Sequence, residues 1–139
     1  MEQRDWYLKE VQKLTALLAR LLGLQHEGRH QEAFALVEAA CRSMTGLNTT
    51  HLAHLAEESL ITLLIERELK GEQIEALAEL LAQEGELLKD TGSRQGGALR
   101  LKKAIFLLNY LTESRREYSF EREQRLKVLH HRLREMQFI

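Results

Sequence analysis

The chain has 139 residues, 44% of them apolar and 29% charged, with a formal net charge of −1. This balance predicts one soluble globular domain over residues 1–139, and no stretch approaches the ~20 apolar residues needed to span a membrane. There is one cysteine and no proline, which excludes an intrachain disulfide and a cysteine zinc cluster and leaves helix ends to glycine and side-chain caps.

Taken in order, the pattern reads as about six helices. Asp5 can cap a first helix reaching about Leu24, with Tyr7, Val11, Leu14, Leu18 and Leu21 at helical spacing. Leu17, Leu22 and Leu24 widen that stripe, which predicts burial on two sides. Gly28 supplies the turn into a second helix over about His30–Met44, whose inner row is Ala33, Val37 and Ala40. Asn48, Thr49 or Thr50 caps a third segment holding Leu52, Leu55, Leu60, Leu63 and Leu64, either one helix or two pieces broken near Glu57 or Glu58. Gly71 is expected to close it.

A fourth helix over about Glu72–Lys89 would bury Ile74, Leu77, Ala78, Leu80 and Leu81, and Asp90-Thr91-Gly92-Ser93 is a turn. A fifth runs from about Arg94 to Thr112, with Leu101, Ala104, Ile105, Leu108 and Leu111 inward and Phe106 and Tyr110 paired at i,i+4. Its Gly96-Gly97 start costs roughly 1 kcal/mol per residue against alanine, which points to close packing there. Ser119 is the expected cap of a last helix carrying Leu126, Leu129, Leu133 and Met136.

Charge is unevenly spread. Residues 52–90 carry ten acidic and three basic side chains, and residues 91–139 carry five acidic and eleven basic. Opposite excesses in adjacent thirds predict a matched contact within or between chains.

Compared with itself at an offset of 64, the chain repeats. Leu17, Leu24, Gly28, Gln31 and Ala40 recur as Leu81, Leu88, Gly92, Gln95 and Ala104; Ala33 and Val37 meet Gly97 and Leu101. Each half reads as a helix, a glycine turn and a helix with small inward residues. The pattern resembles the tetratricopeptide hairpin, W-x2-L-G-x2-Y followed by A-x3-F-x2-A. It departs from it at Arg20 and Glu84, where that motif has leucine, in lacking the terminal proline, and in its 64-residue spacing. The start Arg4-Asp5-Trp6-Tyr7-Leu8, with Leu18–Gly23 and Glu32-Ala33, is also similar to a bacterial family of unknown function with a tetratricopeptide-like fold. That resemblance implies two such hairpins, a C-terminal capping helix and a bacterial cytoplasmic setting, and no activity.

Candidate chemistry is sparse. His51 and His54 share a helix face with Glu57 or Glu58 one turn on, which offers three metal ligands; a polar face at an exposed helix start explains them better. Cys41 lies in an alanine-rich helix with no histidine placed beside it, as a buried small hydrophobe would. No phosphate loop, G-x-S-x-G or G-x-G-x-x-G occurs. Arg122, Arg125 and Arg132 could neutralise phosphates beside Tyr118 and Phe120. Interleaved Glu121, Glu123 and Glu135 favour instead a solvated helix or one docked on the acidic middle.

The resulting expectation is a non-enzymatic all-α interaction or scaffold module without cofactor or metal, and with a charged start that reads as no signal peptide. Its partner would be a protein segment held in the groove between hairpins, with Arg29 and Arg100 as polar contacts and Arg122, Arg125 and Arg132 as further surface cations. The alternatives are a nucleic-acid binder using the basic last helix and a metal-dependent enzyme using His51 and His54. The broad first stripe and the apolar termini (Trp6, Tyr7, Phe138, Ile139) leave room for a homodimer.

Overall fold

A computed structural model describes residues 2–116 and 118–137, with side chains from residue 8 onward except that of residue 115. The side chains of Trp6, Tyr7, Phe138 and Ile139 lie outside the described set. Among the described residues the chain forms seven α-helices and no strand: α1 Glu2–His26, α2 His30–Thr45, α3 Thr49–His54, α4 Glu57–Glu66, α5 Gly71–Asp90, α6 Arg94–Arg115 and α7 Phe120–Gln137.

The 64-residue repeat is present in the backbone itself. Gly28 N–H donates to Gln25 O at 3.1 Å and Arg29 N–H to Leu24 O at 2.9 Å, while Gly92 N–H donates to Lys89 O at 3.1 Å and Ser93 N–H to Leu88 O. These are Schellman caps with glycine in the left-handed region, φ +73° at Gly28 and +96° at Gly92. The helices that follow begin in the same register, at His30 and Arg94.

A third cap of the same kind carries no glycine. Glu68 N–H donates to Ile65 O at 3.0 Å and Leu69 N–H to Leu64 O at 3.1 Å, with Glu68 at φ +52°. This cap, and not Gly71, ends α4. Gly71 is the first residue of α5, and the Gln73 side chain accepts from Lys70 N–H at 2.7 Å. Residues 50–70 therefore hold two helices, broken at Leu55–Ala56, where both residues are extended. Asn48 caps α3, accepting from His51 N–H at 2.7 Å.

α5 is the central element. It packs against α6, α2 and α1, and burial runs round its circumference through Ile74, Ala76, Leu77, Ala78, Leu80, Leu81, Ala82 and Leu87. A helix apolar on all sides belongs inside. The tightest approach is with α6. A Cβ on Gly85 would sit 2.8 Å from Gly97 O, and one on Gly97 would sit 2.6 Å from Gly85 O. Backbone meets backbone there, which is the packing reason behind the glycine start of α6.

α1 is less enclosed than its broad stripe implies. Leu21 and Leu24 are buried, but Val11, Leu14, Leu17 and Leu18 are half-buried, and Leu8 and Leu22 remain 48% and 52% exposed. The two neighbours α2 and α5 cover its C-terminal half and leave its N-terminal half a partial contact. α7 lies against α6 and buries Leu126, Leu129 and Met136.

Candidate interaction surfaces

The three C-terminal arginines singled out by charge each meet a carboxylate of α5, Arg122 largely buried and Arg132 at the surface. Arg122 Nε and Nη2 donate to Glu75 Oε1 at 3.0 and 2.6 Å, and its Nη1 donates to Thr112 Oγ1 at 3.2 Å. Arg125 Nε donates to Glu79 Oε2 at 3.0 Å, and its Nη2 meets the other oxygen. Arg132 Nη1 lies 3.0 Å from Glu86 Oε1, a Coulomb contact without hydrogen-bond alignment. The pairs advance together along both helices, so α7 runs parallel to α5. The acidic middle and basic end of the sequence are thus joined within one chain.

Arg100 is not on the surface. It is 7% exposed, and its Nε donates to Glu84 Oε1 at 2.8 Å, Glu84 being 2% exposed. The remaining guanidinium nitrogens reach Gly96 O and Thr50 Oγ1, both at 3.3 Å. The pair ties α3, α5 and α6 together at the Gly85–Gly97 crossing, so Arg100 is unable to greet a partner there. Arg29 does face solvent, but Glu27 Oε2 at 3.1 Å and both oxygens of Glu32 hold it.

The histidine pair is split from its third ligand. His51 and His54 are exposed on the six-residue α3, Glu57 and Glu58 begin a separate helix, and the Nδ1 of His54 lies 2.9 Å from Thr50 O. Among the described residues no three histidine, cysteine or acidic side chains converge on a metal-sized site. Cys41 is fully buried; burial first, then the charges of Glu84 and Glu38, push its thiol up to about 12. A thiol that stays protonated at neutral pH is a packing group and a poor nucleophile.

Glu38 joins α2 to α3. Its Oε2 accepts from Thr49 N–H at 3.1 Å and from Thr49 Oγ1 at 2.9 Å, and its Oε1 from Arg42 at 3.0 Å. Burial acts to raise its carboxyl, and these hydrogen bonds outweigh burial and hold it below the ordinary value.

Two small grooves flank α1 where it meets α2 and α5. One, of 320 Å³, lies between Val11, Leu14 and Leu18 and the α5 residues Glu72, Glu75 and Glu79. The other, of 360 Å³, includes Leu14, Leu17, Leu36, Ala40 and Met44.

Two larger hollows lie elsewhere, along the outward face of α6, and a further one of 530 Å³ lies on α7 between Lys127 and Glu135. A 710 Å³ hollow is lined by Arg94, Ala98, Leu99, Lys102 and Met136. A 530 Å³ hollow continues from Lys102 past Phe106, Tyr110 and Glu113, with Ile61 of α4 and Leu133 of α7. Lys102 lines both, so the two hollows adjoin at that exposed side chain and follow one another along α6 as a segmented trough, with α7 residues lining both and α4 residues the second. From Arg94 to Glu113 it follows about 29 Å of helix.

Sequence reasoning placed Phe106 and Tyr110 as a pair and missed the trough. The signal was that α6 carries apolar residues on two faces, the buried row Leu101, Ala104, Leu108 and Leu111 and a second row of Ala98, Leu99, Phe106 and Tyr110.

Comparison of the chain with protein-family models, with curated protein sequences and with solved structures finds no match in any of the three.

Proposed function

We propose that this chain is a non-enzymatic, tetratricopeptide-like helical interaction module of a bacterial cytoplasm, taking a segment of a protein partner in the trough over α6. The observation that carries the reading is the trough itself: a half-apolar concavity as long as α6, with the aromatic pair Phe106 and Tyr110 partly exposed in it. Large amphipathic aromatics in a concave, partly apolar site are characteristic of protein interfaces. The repeated caps at Gly28 and Gly92 support the hairpin kinship. The nucleic-acid reading loses weight because Arg122, Arg125 and Arg132 are each engaged with a glutamate. The histidine-metal reading loses weight because its ligands fall on two helices.

The test is a paired pull-down from the source lysate with the unaltered chain and with Phe106→Ser/Tyr110→Ser, both checked for an unchanged circular dichroism spectrum. A protein recovered by the first and lost by the second is the expected outcome. Equal recovery by both, or no specific protein from either, refutes the trough as the binding surface.

A further inference from the structure

Among the described cations, Lys13, Arg29, Arg42, Arg100, Arg122, Arg125 and Arg132 each hold a carboxylate. Several others do not, Lys103, Lys127, Arg94 and Lys102 among them, and of these Arg94 and Lys102, eight residues apart on α6, share one hollow. Both line the 710 Å³ hollow, whose other walls include Ala98, Leu99 and Met136 and no described carboxylate. The second hollow is mixed in sign: Lys102 and His130 line it together with Glu57 and Glu113, and Glu113 lies farthest along α6. The trough is therefore half-apolar, cationic over the start of α6 and anionic at Glu113 toward its end.

We infer that the trough over α6 takes an amphipathic helix of the protein partner, acidic at the end that lies on Arg94 and Lys102 and basic at the end that lies by Glu113. This rests on the interaction-module reading above and specifies the partner. The floor is itself a helix, with Ala98, Lys102, Ile105, Asn109 and Glu113 recurring at three- and four-residue steps. Ridges of that spacing accept another helix at an interaxial distance of about 8–10 Å. Leu99 and Phe106 lie seven residues apart, about 10 Å along the axis, so the occupant's apolar anchors fall at i and i+7 with intervening i+3 or i+4 contacts. Arg94 and Lys102 are about 12 Å apart, so two acidic turns on the occupant face them. Charge complementarity of this sort sets direction and partner choice more than raw affinity.

The test uses three synthetic 18-residue helical peptides that share a leucine stripe at i, i+4, i+7 and i+11. The first has glutamates beside one half of the stripe and lysines beside the other. The second has glutamine at all of those positions, and the third has lysine at all of them. Fluorescence anisotropy is measured against the unaltered chain, Arg94→Glu/Lys102→Glu, and Phe106→Ser/Tyr110→Ser.

The first peptide is expected to bind most tightly, to weaken with added salt, and to lose about tenfold in affinity on the charge-reversed protein. Binding of the all-lysine or glutamine peptide as tightly as the first, lost with Phe106→Ser/Tyr110→Ser, overturns the charge assignment and leaves the trough as a binding surface. Failure of all three to bind overturns both. Tighter capture of a single-stranded oligonucleotide than of the first peptide, sensitive to Arg94 and Lys102, replaces the protein partner with a nucleic acid. A dimer in sedimentation that the charge reversal dissociates makes a second copy the occupant and overturns the proposal.

Discussion

Adding one methyl group at Gly97 should destabilise the protein, whereas the same change at Gly23 should stabilise it. Both glycines lie within helices, α6 and α1, and helix propensity alone favours Gly→Ala by about 0.8–1 kcal/mol in a helix interior. At Gly23 a new Cβ meets nothing within 4 Å, so the propensity gain stands, trimmed to about 0.5 kcal/mol by its place in the last turn of α1. At Gly97 the new Cβ would lie 2.6 Å from Gly85 O and 3.4 Å from Met136 Sδ. The first neighbour is backbone, so no side chain can swing aside. Restoring ordinary contact separates α5 and α6 by roughly 0.8 Å, an overpacking penalty of about 1–3 kcal/mol before secondary losses.

Those secondary losses bear on this crossing in particular, because Arg100 and Glu84 pair beside it across α5 and α6. Set against the propensity gain, the net loss is about 1 kcal/mol before those secondary losses. For a chain of this size each kcal/mol lowers the midpoint of thermal unfolding by about 3–4 °C. Urea denaturation and thermal circular dichroism on Gly97→Ala, Gly23→Ala and the unaltered chain measure the difference. Equal shifts for the two variants, or a stabilised Gly97→Ala, would show that the helices do not touch through their backbones.

Two further outcomes follow from the polar contacts. Arg100→Met and Glu84→Leu should each cost about 3–5 kcal/mol by stranding a buried charge, while the double variant recovers most of that loss; additive losses in a urea double-mutant cycle would mean the pair is not coupled. Glu38 has a folded-state carboxyl held below its ordinary 4.5, so its stabilising contribution is fully present above that value and is lost as the pH falls through the lowered folded value. Glu38→Gln should therefore flatten the acid limb of the stability profile, and an acid limb unchanged by the substitution would refute the role given to its Thr49 hydrogen bonds.

Most of the helices were legible because apolar residues recur at helical spacing, and the rows predicted for residues 94–112 are buried. Turns carried by glycine could be read, and those at Gly28 and Gly92 match bond for bond. The cap at Glu68 could not, because a left-handed conformation at a glutamate leaves no compositional mark. Nor could the break at Leu55–Ala56, where neither glycine nor proline stands. The opposite charges of the middle and the end pointed to a matched contact within or between chains, but not to which of the two, nor to which residues face each other. Arg100 looked like any other surface cation, since its partner is sixteen positions away on another helix. The trough was hidden for a related reason: α4 and α7 reach the outer face of α6 only through tertiary packing.

The arginines of α7 bear on that trough without lining it. Leu126, Leu129 and Met136 are buried, each worth about 1.5–3 kcal/mol, so apolar packing holds α7 in place. Arg125 and Arg132 are 30% and 45% exposed in their ion pairs, and pairs of that kind contribute at most about 1 kcal/mol each. Their effect is on register. A slide of α7 by one turn, about 5.4 Å, would still offer apolar residues to α6, but it would part Arg122 from Glu75 and Arg125 from Glu79 and strand the largely buried Arg122 guanidinium. The same slide would carry His130, Leu133 and Met136 out of step with Phe106 and Leu99 across the trough. The charge contrast that first drew attention to the C-terminal third thus sets one wall of the trough lined by Arg94, Lys102, Phe106 and Tyr110.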